Sequence, residues 1–330
     1  MSTHGRTALS VLGLILLPVV VGIYFLASNA PRDWALHWTA PTSVVTAASN
    51  GDYAAVNARN GLDVVWQDPR SALYLSRTDA SGLRLRPDIA LRGSVASSAQ
   101  SITMAHSGAD DVVLWREDTN NVSRLRAAIV APSGHILYRT LASGDAPLEH
   151  PKAFTVGQRV DVVFSWQRGT YNIYLAGITP TGAVSRPVQL THVSSYAFNP
   201  HAAVDGADHI QMMYMETCCG GSAMYMMRAQ YTLAGAPLGA PQRIERINSV
   251  SAGNTSSATP DRWGLDVEPA HGDVMAAWID DEGLRDATWG PGSTRPLDSH
   301  LLFSGIASPV VALAISRLPA VDGGPVSVVW

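Results

Sequence analysis

Short apolar runs closed by tryptophan return along this chain at a near-constant interval, and that recurrence limits the possible folds more than any other feature. The runs are Val64-Val65-Trp66, Val113-Leu114-Trp115, Phe164-Ser165-Trp166, Ala276-Ala277-Trp278 and Val328-Val329-Trp330, with Met212-Met213-Tyr214 between the third and fourth. Taken on residues 66, 115, 166, 214, 278 and 330, the intervals are 49, 51, 48, 64 and 52 residues. A repeat near 50 residues built from strand-like segments marks a unit that cannot bury both of its faces alone and must stack on copies of itself.

The third copy shows the order within a unit. Residues 153–156 read as a first strand, 160–166 as the second, 171–178 as the third and 184–190 as the fourth, with Thr179-Pro180-Thr181-Gly182 as the last turn. Proline presets φ in such a turn and glycine accepts a positive φ. Equivalent turns are Thr78-Asp79-Ala80-Ser81-Gly82, Ala131-Pro132-Ser133-Gly134 and Leu233-Ala234-Gly235. Four strands per unit, without a 3.6-residue period, predict an all-β chain: a β-propeller of about six four-stranded blades over residues 49–330. The tryptophan-tipped strands are expected to form the inner walls of the blades.

Ahead of the repeats, Ala8 to Ala27 is a 20-residue apolar run with Arg6 on its amino-terminal flank. That length crosses a bilayer core as a helix, and the positive flank stays in the cytoplasm. The expected plan is a cytoplasmic tail over 1–7, a transmembrane signal-anchor over 8–27, a linker with closing strands over 28–48, and an extracytoplasmic propeller. The competing reading is a signal peptide cleaved near Ser28-Asn29-Ala30, which gives a secreted protein. Either strands from the linker complete a sixth blade with residues 310–315 and 326–330, or the chain stops short of further blades.

The repeats resemble those of bacterial exported β-propellers of the sialidase-like superfold. The likeness lies in the apolar second strand with its tryptophan and in Tyr174-Leu175-Ala176-Gly177-Ile178-Thr179-Pro180-Thr181-Gly182. The Ser-x-Asp-x-Gly-x-Thr-Trp box of true sialidases is absent, Ser76-Arg77-Thr78-Asp79 being the nearest approach, so no sialidase active site is carried over.

Two residues past each aromatic stand Asp68, Glu117, Arg168, Glu216 and Asp280. In a propeller these positions share one face, where a largely acidic ring would attract a cation such as Ca²⁺ or a polar ligand. Alternatively, each carboxylate accepts hydrogen bonds from its own turn. The long Ser/Thr/Asn/Gly segment 248–261, ending at Arg262 and Trp263, and the segment carrying Tyr196 and His201 are expected on the same face.

The fourth unit differs, holding six of the nine methionines together with both cysteines of the chain, Cys218 and Cys219. Adjacent cysteines in an exported protein predict a vicinal disulfide. The rival is a soft copper site from Cys218, Cys219, Met215 and Met224, and the bland reading is methionine filling irregular space between blades. Strand alternation sends Met213 and Met215 to one side and Met212 to the other, so the six cannot converge.

A formal charge of −4 with 15% charged residues excludes a nucleic-acid-binding field. The chain has no His-Glu-x-x-His zinc spacing, phosphate loop or Gly-x-Ser-x-Gly elbow. The expected role is therefore a binding module for a polar small molecule, a glycan or an exported protein. A carbohydrate-active hydrolase or lyase, with two of Asp68, Glu117, Glu216 and Asp280 as acid and base, is the alternative, and a copper-handling protein the third.

Overall fold

The computed structural model describes residues 53–58, 61–79, 83–92, 99–218, 223–247, 263–267, 272–279, 283–293, 295–296, 298–304, 314–317 and 326–329. The first sheet comprises β1 (Tyr53–Ala58), β2 (Gly61–Gln67), β3 (Leu73–Asp79) and β4 (Ile89–Arg92). The second holds β5 (Ala99–Ser107), β6 (Asp110–Thr119), β7 (Val122–Val130) and β8 (Ile136–Gly144). In the third are β9 (Leu148–Val156), β10 (Arg159–Arg168), β11 (Thr170–Ile178) and β12 (Val188–Gln189). The fourth has β13 (Ala197–Val204), β14 (His209–Cys218), β15 (Ala223–Thr232) and β16 (Gln242–Ile247). The fifth has β17 (Trp263–Val267), β18 (Val274–Ile279), β19 (Gly283–Trp289) and β20 (Asp298–Ser304). A hairpin of β21 (Ala314–Arg317) and β22 (Val326–Val329) follows.

Each sheet is an antiparallel meander whose spatial order is its sequence order. First strands of successive sheets contact one another, from β1 to β5, β9, β13, β17 and on to β21. This corrects the expectation for the aromatic-tipped strands, which in the five four-stranded sheets are second and flanked on both edges. No helix among the described residues is long and apolar enough to cross a membrane. Residues 8–27 and the linker strands expected over 28–48 lie outside the described residues.

The second strands read as continuous apolar runs because both of their faces are covered. In β6, Val112 and Leu114 pack into a core shared with Val162 and Phe164, while Val113 and Trp115 pack with Val65, Leu73 and Leu75. Val163 turns the other way, toward Met212 and Tyr214 of β14. Met213 and Met215 join Met224, Met226, Trp278 and Trp289 between the fourth and fifth sheets. The methionines thus divide between two sheet interfaces, as strand alternation requires. Met215 and Met224 are 3% and 7% exposed and serve as packing.

Register also moves one repeat position. The first hairpins close at Ala58 with Gly61, Ser107 with Asp110 and Val156 with Arg159, so the residue matching Trp66 and Trp115 is Phe164, not Trp166. On residues 66, 115, 164, 214 and 278 the spacing becomes 49, 49, 50 and 64 residues. Trp166 is an addition two positions further on, its ring 5.3 Å from that of Tyr174 and 6.3 Å from that of Phe164.

Two local devices set the ends of the sheets. Three of the four expected turns between third and fourth strands are present: Gly134, Gly182 and Gly235 have φ of +87°, +82° and +84° and close hairpins with a bulge after the turn, while residues 80–82 of the first such turn lie outside the described residues. At the other end, β5, β9 and β13 each carry a bulge with a left-handed residue, Ser101, His150 and Asn199, all at φ +50° and spaced 49 residues apart. Such bulges re-aim the side chains beside them.

Candidate functional site

The bulged end of the sheets is where second strands run out toward third strands and where one sheet hands over to the next. Three successive sheets bring polar side chains together there. Arg116, on β6 just past Trp115, donates through Nε to Asp118 Oδ1 at 3.1 Å, and its Nη2 donates to the same carboxylate. Its Nη1 lies 3.6 Å from Glu149 Oε1, on β9 of the third sheet. Glu149 immediately precedes the left-handed His150, so the bulge positions its side chain. Tyr171, at the start of β11, donates its hydroxyl to Glu149. The ring of Tyr171 is 5.9 Å from that of Tyr196, with 59° between their planes.

Tyr196 belongs to the fourth sheet's approach. Its N–H donates to Thr217 Oγ1 at 3.2 Å and its carbonyl accepts from Thr217 N–H at 2.9 Å. With the backbone held, the ring stays 47% exposed. The polar groups behind it are much less so, the Arg116 side chain at 12% and that of Glu149 at 16%.

Burial pushes the Glu149 carboxyl above its ordinary value, against the opposing pull of Arg116 and the Tyr171 hydroxyl. Burial and the neighbouring Glu149 together push the Tyr171 phenol up to about 12, so it remains a donor throughout the physiological range. Asp118 moves down, because Arg116 and Ser123 bond its ionised form and outweigh its desolvation. One guanidinium thus stands between a carboxylate shifted down and one shifted up by burial.

The expected ring two past each aromatic is placed as follows. Asp68 accepts from its own turn, from Arg70 N–H at 2.9 Å and Ala72 N–H at 2.8 Å. Glu117 lies on β6 opposite Ala99 and Arg124. Arg168 is exposed and lays its guanidinium 4.8 Å from the centre of the Trp166 ring. Glu216, paired with Ala197 beside Tyr196, accepts from the Tyr214 hydroxyl at 3.4 Å, and burial raises its carboxyl. His201 is half-buried on β13 past the bulge. Trp263 begins β17 opposite Trp278, and Cys218 ends β14 opposite Ala223. Asp280, Arg262 and Cys219 lie outside the described residues, and with Cys219 goes the expected vicinal disulfide.

Of the residues expected at this face, Tyr196 sits with the cluster, while Glu216 is on the neighbouring strand, paired with Ala197 and bonded to Tyr214. Arg116, Glu149 and Tyr171 are added by the structure. The signal for Glu149 is present in the chain: Glu149-His150-Pro151 and Phe198-Asn199-Pro200 repeat a left-handed residue before proline at the same offset.

No family model matches the sequence, and neither does any curated protein. Solved structures do resemble the fold, and they are β-propellers. The α-L-arabinofuranosidase of family GH93 from Fusarium graminearum, solved with arabinobiose, is 12% identical, with 81% of this chain and 84% of that chain covered and a TM-score of 0.55. The BP39L lectin from Burkholderia pseudomallei is 12% identical over 86% of this chain and 79% of that chain, with a TM-score of 0.56. The N10 neuraminidase-like protein of A/little yellow-shouldered bat/Guatemala/060/2010 is 12% identical over 80% and 86%, at 0.50. The chain therefore has the propeller architecture that glycosidases and lectins also use.

Proposed function

We propose that this protein is a carbohydrate-binding β-propeller whose site is the bulged face formed by Arg116, Glu149, Tyr171 and Tyr196. The observation that carries the reading is Tyr196: a backbone-anchored, 47% exposed ring standing beside a half-buried guanidinium, carboxylate and phenol. A sugar presents an apolar C–H face to an aromatic ring and hydroxyls to charged donors and acceptors, and this set supplies both. The neighbours support the class, since one was solved with arabinobiose and another is a lectin.

The test is a glycan array probed with the purified chain, followed by calorimetric titration of the strongest hits. Tyr196→Ala and Glu149→Gln should each weaken binding at least about tenfold, the order of one lost stacking or charge-assisted contact. Unchanged affinity in both variants would reject this face as the site.

Hydrolysis is the second reading. It draws on the Glu149 carboxyl, which burial shifts upward, the direction a general acid needs. Release of aryl from chromogenic furanosides and pyranosides, abolished in Glu149→Gln, is its signature. The apolar run at 8–27 is proposed to hold the propeller on the outer side of a membrane, which membrane fractionation and protease protection of intact cells would check.

A further inference from the structure

At the opposite ends of the strands, away from the bulged face, the first and second sheets share a second polar cluster. Asp63 near the start of β2, His106 near the end of β5 and Asp111 near the start of β6 each offer one donor atom, all within 4.8 Å of one another. His106 Nδ1 is 3.0 Å from Asp111 Oδ1. The other oxygen, Asp111 Oδ2, is held by Arg77 of β3, through Nε at 3.0 Å and through Nη2. Arg77 therefore takes the outer oxygen and leaves the inner one facing His106 and Asp63.

Asp63 is the odd member. It is 6% exposed, yet its hydrogen-bond partner among the described residues is another carboxylate, that of Asp111. Two buried carboxylates facing each other are held together by a shared proton or by a cation between them, since taking an unpaired carboxylate out of water is costly. Arg77 acts on Asp63 through space alone, its hydrogen bonds going to Asp111 and to the Val130 carbonyl.

We infer that Asp63, His106 and Asp111 form a binding site for a first-row divalent cation, bridging the first two sheets. One imidazole nitrogen and two carboxylate oxygens suit Zn²⁺ and its neighbours better than Ca²⁺, which takes oxygen ligands alone, or Cu(I), which prefers sulfur. The surrounding groups fit the same role. Arg77 orients Asp111, and Thr155 Oγ1 of the third sheet donates to the His106 carbonyl at 2.8 Å, fixing the backbone that carries the ligand. The cation joins β2 to the β5–β6 hairpin, two segments that no backbone hydrogen-bond ladder connects.

The test uses the full chain stripped with EDTA and titrated with Zn²⁺ by calorimetry, with Co²⁺ as a visible-absorption probe. Wild type should take up one equivalent, with its melting midpoint raised by saturating Zn²⁺. Asp63→Asn and His106→Ala should each bind at least about tenfold more weakly and lose the midpoint shift, whereas His135→Ala, at an exposed turn, should match wild type. Asp63→Asn gives Asp111 an amide donor of the same shape, so this variant is expected to fold. Absence of a stoichiometric site in wild type, or equal affinity in the Asp63 and His106 variants, would overturn the inference. The first outcome would leave a proton shared between the two carboxylates.

Discussion

The two ends of the sheets use nearly the same ingredients to different effect. At the hairpin end, Arg77, Asp63, Asp111 and His106 form a cluster in which the central carboxylate side chain is 3% exposed. At the bulged end, Arg116, Asp118, Glu149 and Tyr171 form another, with Glu149 at 16% and an exposed tyrosine beside it. Composition does not separate a structural cluster from a ligand-facing one; access does. Charges held between sheets act on the stability of the fold, directly or through a bound cation, whereas charges at an open edge are free to exchange water for a ligand's hydroxyls.

The largest effect should come from breaking the sealed cluster. Asp111→Ala removes the partner of Arg77 and of His106 at once and strands a half-buried guanidinium, at a cost of about 3–5 kcal/mol. Urea unfolding of metal-free protein measures it. Glu149→Ala at the open end should cost about 1 kcal/mol by the same measurement, since Arg116 keeps Asp118 as its nearer partner. Equal losses would erase the distinction between the two ends.

A backbone change at the hairpin end comes next. Gly182 stands at φ +82°, and a Cβ there would lie 2.7 Å from Leu137 Cδ2 and 2.9 Å from Arg139 Nε, across the join between second and third sheets. Gly182→Ala should destabilise by about 1–2 kcal/mol from the strained backbone and the displaced Arg139, whose Nε donates to the Gly182 carbonyl at 2.8 Å. Gly108→Ala has the same sign of φ, +64°, but open space around it, so it isolates the backbone part of the effect.

These positions also show what a reader of the sequence can and cannot see. The interval of the aromatic runs makes the stacked sheets legible, because each copy must solve the same burial problem. The frame of the third copy is misread by two residues, since Trp166 is the conspicuous residue while Phe164 fills the buried place. Strand alternation correctly divides Met212 from Met213 and Met215. The candidate site is not legible in the same way. Arg116, Glu149, Tyr171 and Tyr196 come from three sheets, and no spacing rule ties residues 116, 149, 171 and 196 together. What joins them is the contact between first strands and the bulge after Glu149, both properties of the assembled fold.

A smaller effect separates the two ends by pH. The Glu149 carboxyl is raised by burial, so between the ordinary glutamate value of 4.5 and its folded value the native state holds a proton that the unfolded chain has released. Its contribution to stability is therefore complete below 4.5 and is lost as pH rises through the raised value. Glu149→Gln removes that slope. Subtracting variant from wild-type stability across pH 4 to 8 should give a difference that falls as pH rises, and a difference that rises would mean that Arg116 rather than burial governs the group.

The smallest effect on stability should accompany the greatest effect on binding. Tyr196 is held by its backbone through Thr217, and its ring makes a tilted contact with Tyr171 while the residue stays 47% exposed. Tyr196→Ala should leave the unfolding free energy within about 0.5 kcal/mol of wild type, the range of open surface substitutions, while lowering glycan affinity at least about tenfold. Tyr196→Phe keeps the stacking face and should retain most of the affinity. If phenylalanine fails as badly as alanine, the hydroxyl rather than the ring makes the contact, and the open end reads its ligand by hydrogen bonding alone. If neither substitution matters, the exposure of Tyr196 is incidental, and the difference between the two ends reduces to depth of burial.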